Sequence, residues 1–144
     1  MLLALPTGAY AVSASRYKYN LLYYINRYRI HHGLHRLRIN DHLQTAAQAH
    51  SHDMARTRRM THSSSNGCSW STRIRYYGYR GPYLGENLAY GRMTARTTVR
   101  WWINSAEHRA NLLRGVYDHV GLGFAKAGYG DRVTYYVTAD FGGW

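Results

Sequence analysis

The chain is poor in acids, proline, phenylalanine and cysteine. Its 144 residues include seven acidic side chains, of which only Glu86 and Glu107 are glutamates, with two prolines, two phenylalanines and one cysteine. The single cysteine, Cys68, excludes an intrachain disulfide and a thiolate metal cluster. Beside Ser69 and Trp70, with no base near it in sequence, it reads as a small core residue rather than a nucleophile. No stretch approaches the roughly 18 apolar residues of a transmembrane segment. Internal repeats, low-complexity tracts and linkers are also missing, so one domain with one core is expected.

What is abundant is arginine and tyrosine. The formal net charge is +12, and 17 of the 19 basic residues are arginine. A surface of this sign attracts anionic polymers: nucleic acid, acidic headgroups or a phosphate-rich cell-wall polymer. The basic residues are scattered, however, which fits a solubilising face equally well. Fifteen tyrosines imply many rings half-buried at edges or in a groove, because each hydroxyl wants a partner. Residues 1–15 (MLLALPTGAYAVSAS) are small and apolar and end like a secretory signal without its basic start, so the folded domain is set at 16–144 and an export route is expected.

Periodicity predicts helices first and strands last. Arg16 to His32 carries Leu21, Ile25 and Tyr28 on one stripe and stops at Gly33. After an extended link through Leu34, Leu37 and Ile39, Asp41 to Gln44 has capping-box spacing and opens a helix to about Arg59 over Leu43, Ala47, His50 and Met54. Thr61 to Gly67 is a polar loop, Trp70 to Tyr77 a short helix, and Tyr79 to Gly91 a loop entering a strand. Thr94 caps a helix that turns Val99, Trp102, Ile103 and Ala106 inward. Trp101, about 100° round from Trp102, is left near the surface. Val120 to Lys126 and Val133 to Phe141 alternate as a hairpin. The fold class is therefore α+β, not a doubly wound parallel sheet.

Against so few acids, the ordered set His62, Glu86, Ser105, His108 reads as a site. Two neutral imidazoles and a carboxylate make three ligands, the count for a zinc ion with an open, water-bearing position. Alternatively, Glu86 fixes a histidine tautomer without touching metal, or the group is a metal-free hydrogen-bonded cluster. His108 is expected just past a helix, where an imidazolium favours the dipole. Glu107 is expected to pair with Arg109, and His50 to be a satisfied, half-buried histidine. His31, His32, His35, His42 and His52 are spread too widely for a metal tract.

A helix ending in MTH (Met60 to His62), Trp70 and Arg73 before Gly78-Tyr79, GENLAYG around Glu86, and WWINSAEHRANLL followed by VGLGF resemble the CAP or SCP-like domain in its bacterial form, across about Tyr17 to Trp144. The resemblance implies a three-layer α-β-α sandwich with a small antiparallel sheet and an open cleft. It places His62, Glu86, Ser105 and His108 in the cleft; the reading of the residues as a metal site makes His62, His108 and, in one of its two roles, Glu86 the ligands of Zn2+. Ser105 stands where fuller members carry a second acid, and Glu107 where bacterial relatives usually have glycine. The resemblance also implies a secreted or surface-exposed protein that binds a small molecule or lipid in its cleft or groove.

The competing expectations are a metal-dependent hydrolase, with His62, Glu86 and His108 as the catalytic candidates, and an electrostatic binder of wall polymer or nucleic acid. Ser105 as a nucleophile lacks the glycine elbow and an oxyanion hole, so water activation is the better hydrolytic scheme.

Overall fold

The computed structural model describes residues 12–144. The signal-like reading of the N-terminus falls, up to residue 11, outside the described residues. Helix α1 (Ala14–His31) begins two residues before the expected start, because Ser13 accepts the Arg16 N–H as N-cap. Leu21 and Ile25 are buried on its stripe, joined by Tyr17. Gly33 ends it at φ 74°, a conformation that costs glycine little.

Strand β1 (Arg38–Ile39) leads into α2 (Asp41–Thr57). The cap lies one residue earlier than the capping-box reading: Asn40 Oδ1 accepts the His42 and Leu43 N–H groups. Gln44, expected to reach back, instead accepts the Leu122 N–H with its side-chain oxygen. Helix α3 (Trp70–Tyr76) is capped by Ser69. After it come β2 (Tyr83–Gly91), α4 (Ala95–Ile103), α5 (Ala106–Leu112), β3 (His119–Ala127) and β4 (Thr134–Gly143). The sheet order is β1-β3-β4-β2, antiparallel except that β1 runs parallel to β3.

The sheet separates two unlike interiors, completing the α-β-α sandwich. On one side α1, α4 and α5 meet Val137, Ala139 and Phe141 over an apolar core with Trp102 at its centre. Trp102 is fully buried while Trp101 is 45% exposed, as their angular offset requires. Ala106 does not face this core. The helix breaks at Asn104 and Ser105, and Ala106 restarts it exposed. Arg29, fully buried, donates to the carbonyls of His35, Leu112, Arg114 and Tyr117. It thereby satisfies the end of α5 from inside.

On the other side α2 lies directly on the strands. A Cβ at Gly121 would overlap the Leu43 carbonyl and the Gln44 amide, and one at Gly123 the Ala47 carbonyl. VGLGF therefore carries glycines where helix backbone touches sheet. This side buries polar groups: Ser51 bonds Thr138, and Asp140, Glu86, Arg73 and His50 are all covered.

Strand β2 is a sheet edge, and side chains finish it. The carbonyls of Leu84, Glu86 and Leu88 accept from Tyr117 Oη, Asn111 Nδ2 and Trp102 Nε1, at 2.8, 3.1 and 2.9 Å. These alternate carbonyls point away from β4. Residues 84, 86 and 88 are thus the non-hydrogen-bonded positions of the β2–β4 pair, where Cα atoms approach to about 4.5 Å.

Candidate functional site

That register decides the neighbour of Glu86. Glu86 pairs with Asp140 across β2 and β4, at a non-hydrogen-bonded position where side chains on one face come closest. Asp140 is fully buried, and no N–H or hydroxyl of another described residue reaches its oxygens. Burial raises both acids far above ordinary carboxylates, and the Glu86 charge raises Asp140 further, while Arg73 pulls Glu86 back down. One guanidinium balances one carboxylate. Asp140, without a direct cation, is pushed toward its protonated form beside Glu86.

Arg73 reaches Glu86 from α3. Its Nη2 donates to Glu86 Oε2, and its Nη1 donates to the His62 carbonyl at 3.1 Å and to Ser64 Oγ at 2.9 Å. Glu86 Oε1 accepts from His62 Nδ1 at 2.7 Å. Both oxygens of Glu86 are therefore engaged, one by Arg73 and one by His62. This fixes His62 as the Nδ1–H tautomer, with the lone pair on Nε2. Although the Glu86 side chain is 1% exposed, that of His62 is 55% exposed. A buried acid thus orients an accessible ring. Burial first, then Arg73, lower the His62 pKa, opposed by Asp140 and Glu107.

The second pair sits on α5. Ser105 is its N-cap residue and offers no side-chain cap to the helix. Its Oγ lies 2.7 Å from His108 Nδ1. His108 is consequently in the first turn of α5 and not beyond a helix end, as its sequence position had suggested. There the dipole disfavours an imidazolium, and burial and the nearby His62 lower its pKa in the same direction. Trp101 covers one side of the ring at 5.5 Å between centroids. Glu107 forms no ion pair with Arg109, which donates to the Ile103 carbonyl. Instead, Glu107 acts through its charge on both His62 and His108.

Asn87 and Asn111 stitch the two pairs together. Asn87 Nδ2 donates to the His108 carbonyl, and Asn111 Nδ2 to Glu86 O and Asn87 Oδ1. His62, Trp70, Leu84, Gly85, Glu86, Asn111 and Arg114 line an open cavity of about 350 Å³. The structure therefore brings His62 to Glu86 and Ser105 to His108 as two bonded pairs; His62 and Glu86 line this cavity, and Ser105 and His108 are not among its lining residues.

Among the described residues no three His, Cys, Asp or Glu gather closely enough to hold a metal. With Glu86 engaged at both oxygens and each Nδ1 bonded, the nitrogens left for a ligand are His62 Nε2 and His108 Nε2. A site of three protein ligands does not fit this donor set.

Sequence reasoning missed Asp140 and the role of Arg73. In VTYYVTADF, Thr138 and Asp140 alternate against Val137, Ala139 and Phe141, which marks a polar face. That face is covered by α2.

The chain matches the CAP family, described as the cysteine-rich secretory protein family, over residues 22–141. It is 32% identical over 116 residues to the uncharacterized protein YkwD of Bacillus subtilis, covering 81% of this chain and 45% of that protein. The chain spans less than half the length of the curated relatives it matches. In fold it is similar to an extracellular SCP-domain protein of Bacillus anthracis (TM-score 0.77, 23% identity, 93% of this chain and 45% of that one). It is also similar to an outer surface protein of Borrelia burgdorferi (TM-score 0.78, 22% identity, 92% and 97%). No helix among the described residues is long and apolar enough to cross a membrane. With the family matched over most of its length and the sandwich in place, the chain belongs to the CAP family in its bacterial form.

Proposed function

We propose that the protein is a secreted or surface-exposed CAP-domain binding protein whose cleft presents two neutral imidazole nitrogens, His62 Nε2 and His108 Nε2, to a divalent cation such as Zn2+ or to a polar ligand group. The observation that carries this reading is the engagement of both Glu86 oxygens: Glu86 orients His62 instead of acting as a free base or third ligand. A ligating histidine held through its other nitrogen by a carboxylate is a recurring arrangement in metal sites. Bound there, the cation would supply a Lewis-acidic contact for an anionic or carbonyl group of a ligand. The surface location is supported by the likeness to an extracellular protein of Bacillus anthracis and an outer surface protein of Borrelia burgdorferi.

The test is zinc titration by calorimetry of the wild type beside a His62→Ala, His108→Ala double variant. Saturable binding in the wild type that falls at least about tenfold in the variant is expected. Equal or absent binding in both sinks the metal reading.

A hydrolytic reading draws on one specific observation, the 2.7 Å contact between Ser105 Oγ and His108 Nδ1. No carboxylate orients His108, so this pair lacks the third group of an activated nucleophile, and binding remains the preferred conclusion. Electrostatic capture of an anionic polymer would use the arginine surface instead. It is distinguished by steep loss of binding with salt that His62→Ala leaves unchanged.

A further inference from the structure

His50 lies on α2 under the loop that carries His62, is 1% exposed, and has no role in the cleft as described so far. Its Nε2 is 2.7 Å from the carbonyl of Thr61, one peptide before His62. A carbonyl only accepts, so Nε2 bears the hydrogen. Burial and the nearby Arg73 charge keep the ring neutral, which leaves Nδ1 as a lone pair. Nδ1 and Arg73 Nε are both buried without a hydrogen-bond partner. One is an acceptor and the other a donor, on two residues that line the same small cavity between α2, α3 and the loop.

The loop is gripped at successive points. His50 holds Thr61 O, Arg73 Nη1 holds His62 O and Ser64 Oγ, and Asp53 Oδ2 accepts the Ser65 N–H at 2.7 Å. Both His50 and Asp53 come from one stretch of α2, so the helix that packs on the sheet also sets the loop. Arg73 is shared between loop and Glu86.

We propose that His50 is a positioning residue for the cleft: through Thr61 it places His62 so that His62 Nδ1–H meets Glu86 and Nε2 faces outward. His50 touches no ligand itself. The reading above enters only in making His62 Nε2 the group that matters, and the tautomer is measurable without any ligand.

The experiment records ring 15N shifts of His62 at pH 7.5 in the wild type, His50→Phe and His50→Gln. Phenylalanine keeps a ring but removes the donor. Glutamine places an N–H close to the former Nε2. The expected result is a fixed Nδ1–H tautomer in the wild type, a mixed population in His50→Phe, and recovery in His50→Gln. In parallel, zinc affinity should fall about tenfold in His50→Phe and recover in His50→Gln. A folded His50→Phe whose His62 remains wholly Nδ1–H overturns the proposal, as does failure of glutamine to restore the tautomer. Should His50→Phe not fold, the wild type alone decides: His50 must itself be the Nε2–H tautomer, and finding Nδ1–H instead overturns it. Absence of zinc binding in the wild type removes the metal reading and leaves the tautomer result standing.

Discussion

The two faces of the sheet are built on opposite terms. Toward α1, α4 and α5 the strands present Val137, Ala139 and Phe141 to Trp102, Leu21 and Ile25, a volume-filling core held by apolar burial. Toward α2 they present Gly121, Gly123, Thr138 and Asp140. Close backbone contact and buried polar groups replace bulk there. The first face makes the domain stable, and the second aims a histidine. A polar network can be afforded on one side because the other supplies an ordinary core.

Arg73→Met should break this contrast most strongly, by leaving the Glu86 charge buried and unpaired. A loss of about 3–5 kcal/mol is expected by urea unfolding at pH 7. Adding Glu86→Gln should recover part of it, and a loss under about 1 kcal/mol would mean that the polar face is not held by charge.

Gly121→Ala tests the close approach of α2. The new methyl meets helix backbone, so about 1–3 kcal/mol should be lost. Gly115→Ala, whose Cβ would meet only Leu34 at an ordinary 3.8 Å, should be nearly neutral. Similar costs at both sites would contradict the contact.

The most diagnostic test is one of pH. Asp140 has a raised folded-state pKa, so above the unfolded value the unfolded chain loses its proton first. Its contribution to stability is present in acid and is lost as pH rises toward the folded pKa. Asp140→Asn removes that dependence. Relative to the wild type, the variant should therefore gain stability between pH 5 and pH 8. Leu21→Ala, on the apolar face, should cost the same at both pH values.

Much of the architecture was legible in the sequence because its signals are local. Gly33 and Thr94 mark helix ends, the apolar stripe of α2 follows helical period, and the last two strands alternate. Motif spacing also brought His62 and Glu86 to the same cleft. What escaped depends on chain segments far apart. Arg29 and Arg73 looked like members of a solvated basic surface, yet each is buried where it finds several acceptors. His108 was displaced by a helix break at Asn104 that hydrophobic periodicity does not register, so Ala106 was taken for core. Asp140 faces Glu86 only through strand register, which no single segment encodes.

The finished edge of β2 has a consequence for how molecules of this protein meet. A bare marginal strand is a template onto which another chain can zip. Here a tyrosine, an asparagine and a tryptophan already hold three of its carbonyls. Crowded copies find little to extend, and the strand that carries Glu86 can border open solvent without seeding a fibril.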